Sequence, residues 1–407
     1  MPDLIYEARE IGAAQPTEAQ AARRPGERFL RWTLVLSLVG YPIAAVAAVV
    51  LNTDSRLTSA PFRLFVDLLA VGALFSALTA RLRFRPDVPI LVLMALYLLR
   101  LMFDLQRPDL PHTGADLLFY LSVCVIPVLC ATPAMGSWNQ RLTGFTLVTV
   151  GALISAATLI VDFSGLAGDR SITQLTDRLG FDTVNPITLG HVGVSTLLAA
   201  LAVWGGAGRL QRGLLLAACV PAAVVLVLAN SRSPYLSLIV AVMVLLVARR
   251  RWLWLAGAAL AAGAVFFADN IQDKLAGSRL LTVQDTASLE RLIIQGNSLR
   301  EFAEHPIFGS GYLDPITQLY PHNLFIESAM AMGIVGLGLY IWISLQAVVR
   351  SFTAIRRGEL LAPLMFWQFF VFGQLSSAFF GAAALFLTMV LLSVLGRRDS
   401  ATWEAAA

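Results

Sequence analysis

Apolar runs of ~17–25 residues recur along this chain from Leu30 to Leu395, each long enough to cross a bilayer as an α-helix. Inside hydrocarbon every backbone N–H and C=O needs an internal partner, so only helices and closed barrels can span. The apolar/polar alternation of barrel strands is missing, which removes the barrel. Composition points the same way. Of 407 residues, 57% are hydrophobic and 14% charged, where a soluble chain carries about 25% charged residues. Mean hydropathy is +0.72. The chain reads as an all-α polytopic membrane protein.

Hydropathy predicts about twelve spans, near 30–51, 62–80, 87–103, 116–132, 141–161, 187–205, 213–229, 235–248, 252–268, 323–346, 360–378 and 380–396. The span at 235–248 is short, and only a turn near Gly381 separates the last pair. Residues 1–28 are polar, Ala-rich and basic toward the end, with no secretory signal pattern. They read as a disordered cytoplasmic tail, followed by a transmembrane domain at 29–398 and a second cytoplasmic tail at 399–407. With the N-terminus inside, 19 of the 30 Lys and Arg residues fall inside, most of them in short loops at span ends. Positive charge on that side sets the orientation. Both termini are then cytoplasmic, and the long segments 162–186 and 269–322 lie outside, which is periplasmic in a Gram-negative cell.

Several function classes drop out. The net charge of +4 needs no nucleic-acid partner. No P-loop glycine cradle occurs. Cys124, Cys130 and Cys219 lie in apolar segments with no His or Cys at ligand spacing, as buried inert thiols do. There is no Asp-x-Asp, no His/Glu ligand set and no His-x-x-x-His. No catalytic metal and no cofactor are expected.

The polar groups gather on the external side. In 269–322, Asp285, Thr286 and Ser288 can start a helix. Leu289, Leu292, Ile293, Leu299 and Phe302 then recur at roughly helical spacing, predicting an amphipathic helix of ~15 residues that stops before Pro306. Its apolar face suits the membrane surface or the mouth of a cavity. Arg291 and Arg300 fall outside the apolar set; by position alone Arg291 is equally a solvated helix charge. The loop continues as His305-Pro306-Ile307-Phe308-Gly309-Ser310-Gly311-Tyr312, then Tyr320-Pro321-His322-Asn323, with Glu327 and Gly333-Ile334-Val335-Gly336 in the helix that follows. Asn323 is a good N-cap. His322 is either an ordinary loop residue beside that cap or a neutral base at an anion-favouring helix start.

Asn230-Ser231-Arg232-Ser233-Pro234 joins two spans. Arg232 there is either a snorkelling side chain or a guanidinium aimed into an external cavity to grip a phosphate. Asn185-Pro186 begins another span, with Arg178 just before it. Arg100 and Asp104, four residues apart at a span end, pair with each other. They, Asp67 and Asp116 are assigned no chemistry. Arginines and one histidine on one membrane face, without metal ligands, suit a diphosphate-bearing lipid whose leaving group is neutralised by guanidinium.

The Arg291 loop, the His-Pro-Ile-Phe-Gly-Ser-Gly turn, Pro-His-Asn with Glu327 and Gly333-x-x-Gly336, the Ser231-Arg232 turn and Asn185-Pro186 together resemble the bacterial O-antigen ligase and O-antigen polymerase superfamily. The resemblance covers about 180–345; before that it is topological only. Met332 departs from the pattern, standing where many relatives carry Glu. The resemblance implies a helical bundle of the glycosyltransferase class C type with a periplasmic cavity in the bacterial inner membrane. It implies a donor glycan on undecaprenyl diphosphate and an acceptor that is the lipid A-core or a growing glycan, surrounded by membrane lipids. It implies His322 as the base that activates the acceptor hydroxyl. Arg291 and Arg232 would bind the diphosphate, with Arg178, Asn185, Asn323 and Arg300 as further substrate-binding candidates. The expected reaction is a direct, metal-independent displacement with inversion. The competing class is transport: about twelve spans also suit a lipid-linked glycan flippase or another polytopic transporter. Against it stand the late external loop and the few charges deep within the spans.

Overall fold

A computed structural model describes residues 26–82, 87–110, 112–164, 185–251 and 286–404. Among these every regular element is helical. In chain order they are α1 (Glu27–Val50), α2 (Ser55–Thr79), α3 (Val88–Asp104), α4 (Thr113–Ser137), α5 (Gln140–Phe163), α6 (Pro186–Trp204), α7 (Arg209–Leu228) and α8 (Arg232–Ala248). They continue as α9 (Thr286–Glu304), α10 (Leu324–Arg356), α11 (Leu361–Leu375) and α12 (Ala383–Glu404).

Among the described residues, seven helices are long and apolar enough to cross a membrane: α1, α2, α4, α5, α6, α7 and α10. The count of twelve is therefore not reached on length. Helices α8 and α11 and the apolar part of α12 are shorter than the ~20 residues a perpendicular crossing takes. The span expected at 252–268, residues 1–25 of the tail expected at 1–28 and most of the 162–186 loop lie outside the described residues, and the last two residues of that tail, Glu27 and Arg28, belong to α1. At the other end, α12 runs through Glu404, into the stretch expected as a tail at 399–407.

Helix α6 is the organising element. It packs against α5, α7, α8 and α11, and 78% of its apolar window is buried against 22% for α7. A polar network crosses this core. Gln368 Nε2 donates to His191 O (3.0 Å) and to Ser195 Oγ (2.8 Å), and His191 Nε2 lies 3.1 Å from Ser233 Oγ. Polar groups without water must find such partners inside the protein.

The expected loop helix forms as α9, starting at Thr286 and ending before Pro306. Leu289, Leu292, Ile293 and Leu299 are exposed, while Ile294 and Ser298 face the bundle, and α9 packs against α10.

Helix α10 is broken at Gly333 (φ 63°, ψ −157°). In a continuous helix the Ile334 N–H would donate to Met330 O. Here it donates to Pro306 O (2.8 Å), and Met330 O accepts from the Ser310 N–H (2.8 Å). The His305–Gly311 turn thus fills the missing rung. A side chain on Gly309 (φ 73°) would strike the Met330 carbonyl, and one on Gly333 would strike the Ile307 carbonyl. The same loop is fastened on its far side to α3 and α4. Asp104 accepts from the Tyr312 N–H (3.1 Å), Asp116 accepts from the Tyr312 hydroxyl (2.8 Å), and Arg107 donates to Ser310 O (2.8 Å). Arg100 and Asp104 pair as expected, and Asp104 serves the loop as well.

Candidate active site

The start of α10 fixes His322. Asn323 is extended (φ −148°), and its Oδ1 accepts from the Phe325 and Ile326 N–H groups (2.9 and 3.2 Å). This satisfies helix N–H groups that have no partner within the helix. Its Nδ2 donates to Gln374 O (3.3 Å) at the end of α11. The preceding residue, His322, takes a left-handed backbone conformation (φ 57°). Its ring lies 4.3 Å from that of Tyr320, and Gln295 of α9 donates to the adjoining Pro321 carbonyl (3.2 Å).

Helix α11 ends at Leu375, and the chain runs through Ser376–Ala382, with a single tight turn at Phe379–Gly381, before α12 begins. This break exposes helix-end carbonyls, which carry partial negative charge and attract cations. Arg291 of α9 answers it: Nη1 donates to Leu375 O (3.0 Å). Glu327, fully buried, holds the linker from the other side. It accepts from the Phe379 N–H (3.1 Å) and from the Tyr97 hydroxyl (2.6 Å).

His322 and Arg291 therefore meet at one corner. Burial, and then the Arg291 cation, push the His322 pKa down to about 4, opposed in part by a hydrogen bond to the Ser376 backbone. The ring is neutral at neutral pH. Its Nδ1 is buried and has no hydrogen-bond partner among the described residues. Burial also raises the Tyr320 hydroxyl pKa, so that phenol remains a hydrogen-bond donor. A cavity of about 340 Å³ opens beside this corner, lined by Tyr320, Ser376 and Ser377 together with Asn185, His191 and apolar side chains of α1 and α11.

The candidates fall into three groups. His322, Arg291 and Asn323 converge on the end of α11. Asn185 reaches the cavity from the start of α6, and Arg232, outside the cavity lining, stands at the start of α8. Asn185 caps α6 through the Ile187 N–H (2.9 Å) and lines the cavity. Arg232 is the first residue of α8 and partly buried, one residue from the Ser233 hydroxyl that meets His191. Arg300 is not brought to this corner: it is exposed on α9 and donates to Asn297 (2.9 Å). Arg178 lies outside the described residues. The sequence reading gave no role to His191, Tyr320 or Ser376; His191 gains meaning from Ser233 and Gln368 on other helices, and Tyr320 and Ser376 from their place beside His322 and the cavity. Among the described residues no three His, Cys, Asp or Glu side chains cluster as metal ligands.

An O-antigen ligase family model matches residues 217–341, a stretch that includes Arg232, Arg291, His322 and Asn323. The chain is also similar to an O-antigen ligase of Pseudomonas aeruginosa, at 27% identity over 307 residues, covering 72% of each chain.

Proposed function

We propose that the chain is a member of the O-antigen ligase family and a membrane glycosyltransferase moving a glycan from undecaprenyl diphosphate to an acceptor hydroxyl in lipopolysaccharide or related polysaccharide assembly. The supporting observation is the meeting of His322, with its unpartnered Nδ1, and Arg291 beside the cavity.

The Ser376 hydrogen bond holds the proton on the other ring nitrogen and leaves the Nδ1 lone pair to accept one. The acceptor oxygen attacks the anomeric carbon, and its proton passes to His322. The bond from that carbon to the diphosphate oxygen breaks, and the electron pair leaves with undecaprenyl diphosphate. Arg291 and Arg232 stabilise the growing charge on the leaving group. Arg291 exchanges its Leu375 carbonyl for phosphate oxygens, and a guanidinium has five N–H donors to divide between them. One displacement inverts the anomeric centre. Asn185, Asn323, Arg178 and Arg300 remain as substrate-binding candidates, with Arg300 the most remote. Neither metal, nucleotide sugar nor other cofactor takes part. In this reading about twelve spans place both termini in the cytoplasm and His322 at the periplasmic side of the inner membrane, and the acceptor is the lipid A-core or a growing glycan.

The test uses purified protein, an undecaprenyl-diphosphate-linked glycan and EDTA, with release of undecaprenyl diphosphate followed with and without acceptors. Acceptor-dependent release is expected. Its product separates a ligase (one transfer to a core) from a polymerase (a ladder of repeats). No release with any acceptor, with protein-dependent movement of the donor across liposomes, would favour the flippase instead.

A further inference from the structure

At the far end of α8 and α10 from the His322 corner lies an open cleft of about 640 Å³, lined by Arg249, Arg250, Arg251, Arg356 and Arg357 with Ala248 and Gly358. Two segments far apart in sequence build it, because α8 and α10 pack together and end side by side. Arginines at span ends are ordinary orientation signals. Arg357 is shared with a neighbouring recess that holds Glu359, but Arg249, Arg250, Arg251 and Arg356 line this cleft with no carboxylate in its described lining, a concentration of positive charge that attracts an anion.

The adjoining recess of about 420 Å³ makes the contrast. It shares Arg357 but includes Glu359, and its Arg350 is committed to Asp87 (3.4 Å) and Gln346 (2.9 Å). Carboxylates thus stand among the arginines of that recess, as they do not in the described lining of the larger cleft. The outer face of α10 leads to the larger cleft along Trp342, Leu345 and Val349, exposed by 56%, 58% and 66%. Steps of three and four residues keep these side chains on one helix face and bring it to Arg356.

We propose that this cleft binds the phosphodiester headgroup of an anionic membrane phospholipid, with the acyl chains along the Trp342–Val349 stripe. Guanidinium forks match phosphate oxygens bidentately, and basic pockets between membrane helices hold acidic headgroups. The continuous apolar approach selects a lipid over free phosphate.

Delipidated full-length protein in detergent would be titrated with phosphatidylglycerol, with phosphatidylethanolamine of the same chains, and with inorganic phosphate, counting bound molecules by native mass spectrometry. A preference of about tenfold for phosphatidylglycerol over phosphatidylethanolamine is expected, and excess inorganic phosphate should not displace it. The preference should vanish in R249Q/R250Q/R251Q and in R356Q/R357Q, with wild-type melting temperatures in lipid-free detergent. It should survive in R56Q, which removes an exposed charge elsewhere. Equal binding of both lipids, a preference unchanged in both cleft variants, or displacement by inorganic phosphate would overturn the assignment. Because no donor or acceptor glycan enters the assay, its outcome is independent of transferase activity.

Discussion

At His322 the surroundings set the charge state. A solvated histidine titrates near 6.5; burial and then Arg291 push this one down to about 4. Between about 4 and 6.5 the unfolded chain binds a proton that the folded chain does not. The His322 contribution to stability therefore falls as pH drops through that window and is flat above and below it. The neutral base persists above about 4, so the acid limb of kcat/KM should lie near 4 rather than 6.5. In Arg291→Gln, measured on residual activity, the limb should move up but stop short of the solvated value, because burial remains. A wild-type limb near 6.5 would refute this electrostatic picture. Glu327→Ala strands the Tyr97 hydroxyl and the Phe379 N–H, a loss of about 1–3 kcal/mol that thermal melting should detect. That Arg291 of α9 reaches the end of α11 was not legible in sequence; His322 and Asn323 were legible only as polar residues at the mouth of an apolar helix. His191 and Gln368 were not, since each lies within an apolar run and its partners come from other helices.

The element that shapes the site is the splice between the His305–Gly311 turn and the α10 break. Sequence supplied both halves, Pro306 to Gly311 and Gly333-x-x-Gly336, but read α10 as one unbroken span. Hydropathy does not register a missing hydrogen-bond rung, and the replacement partners are backbone atoms from a loop 20 and 28 residues upstream. Gly333→Ala should cost about 1–3 kcal/mol for its glycine-only backbone conformation, plus the clash with the Ile307 carbonyl. Gly309→Ala should act alike through the Met330 carbonyl. Lower melting temperatures and faster limited proteolysis within 305–312 would follow from a freed loop. Wild-type melting and proteolysis in both variants would show that the splice does not hold the loop.

Across the whole molecule, helix class and most span positions were readable because hydrocarbon leaves few alternatives. Span number was harder. The chain shortens α11 and opens Ser376–Ala382 to form the cavity wall, so the segment nearest the site looks least like a full crossing. Irregular backbone at such depth is tolerated where protein or a cavity surrounds it. In a cysteine-free background, a cysteine at exposed Phe308 and one at Arg356 should label with a membrane-impermeant thiol reagent from opposite sides, Phe308 from the periplasm. Labelling of both from one side would overturn the proposed orientation.

The most direct measurement of the central claim compares wild type with His322→Ala and Arg291→Ala for acceptor-dependent release of undecaprenyl diphosphate in EDTA, each variant matched to wild type by melting temperature. Loss of a positioned base, or of a charge-stabilising donor, lowers rates by about 10²–10⁴-fold. The account predicts that scale of loss in both variants at unchanged fold. Release near the wild-type rate in His322→Ala would contradict it, because proton transfer from the acceptor would then not pass through the residue that the α10 start and the α11 end hold in place.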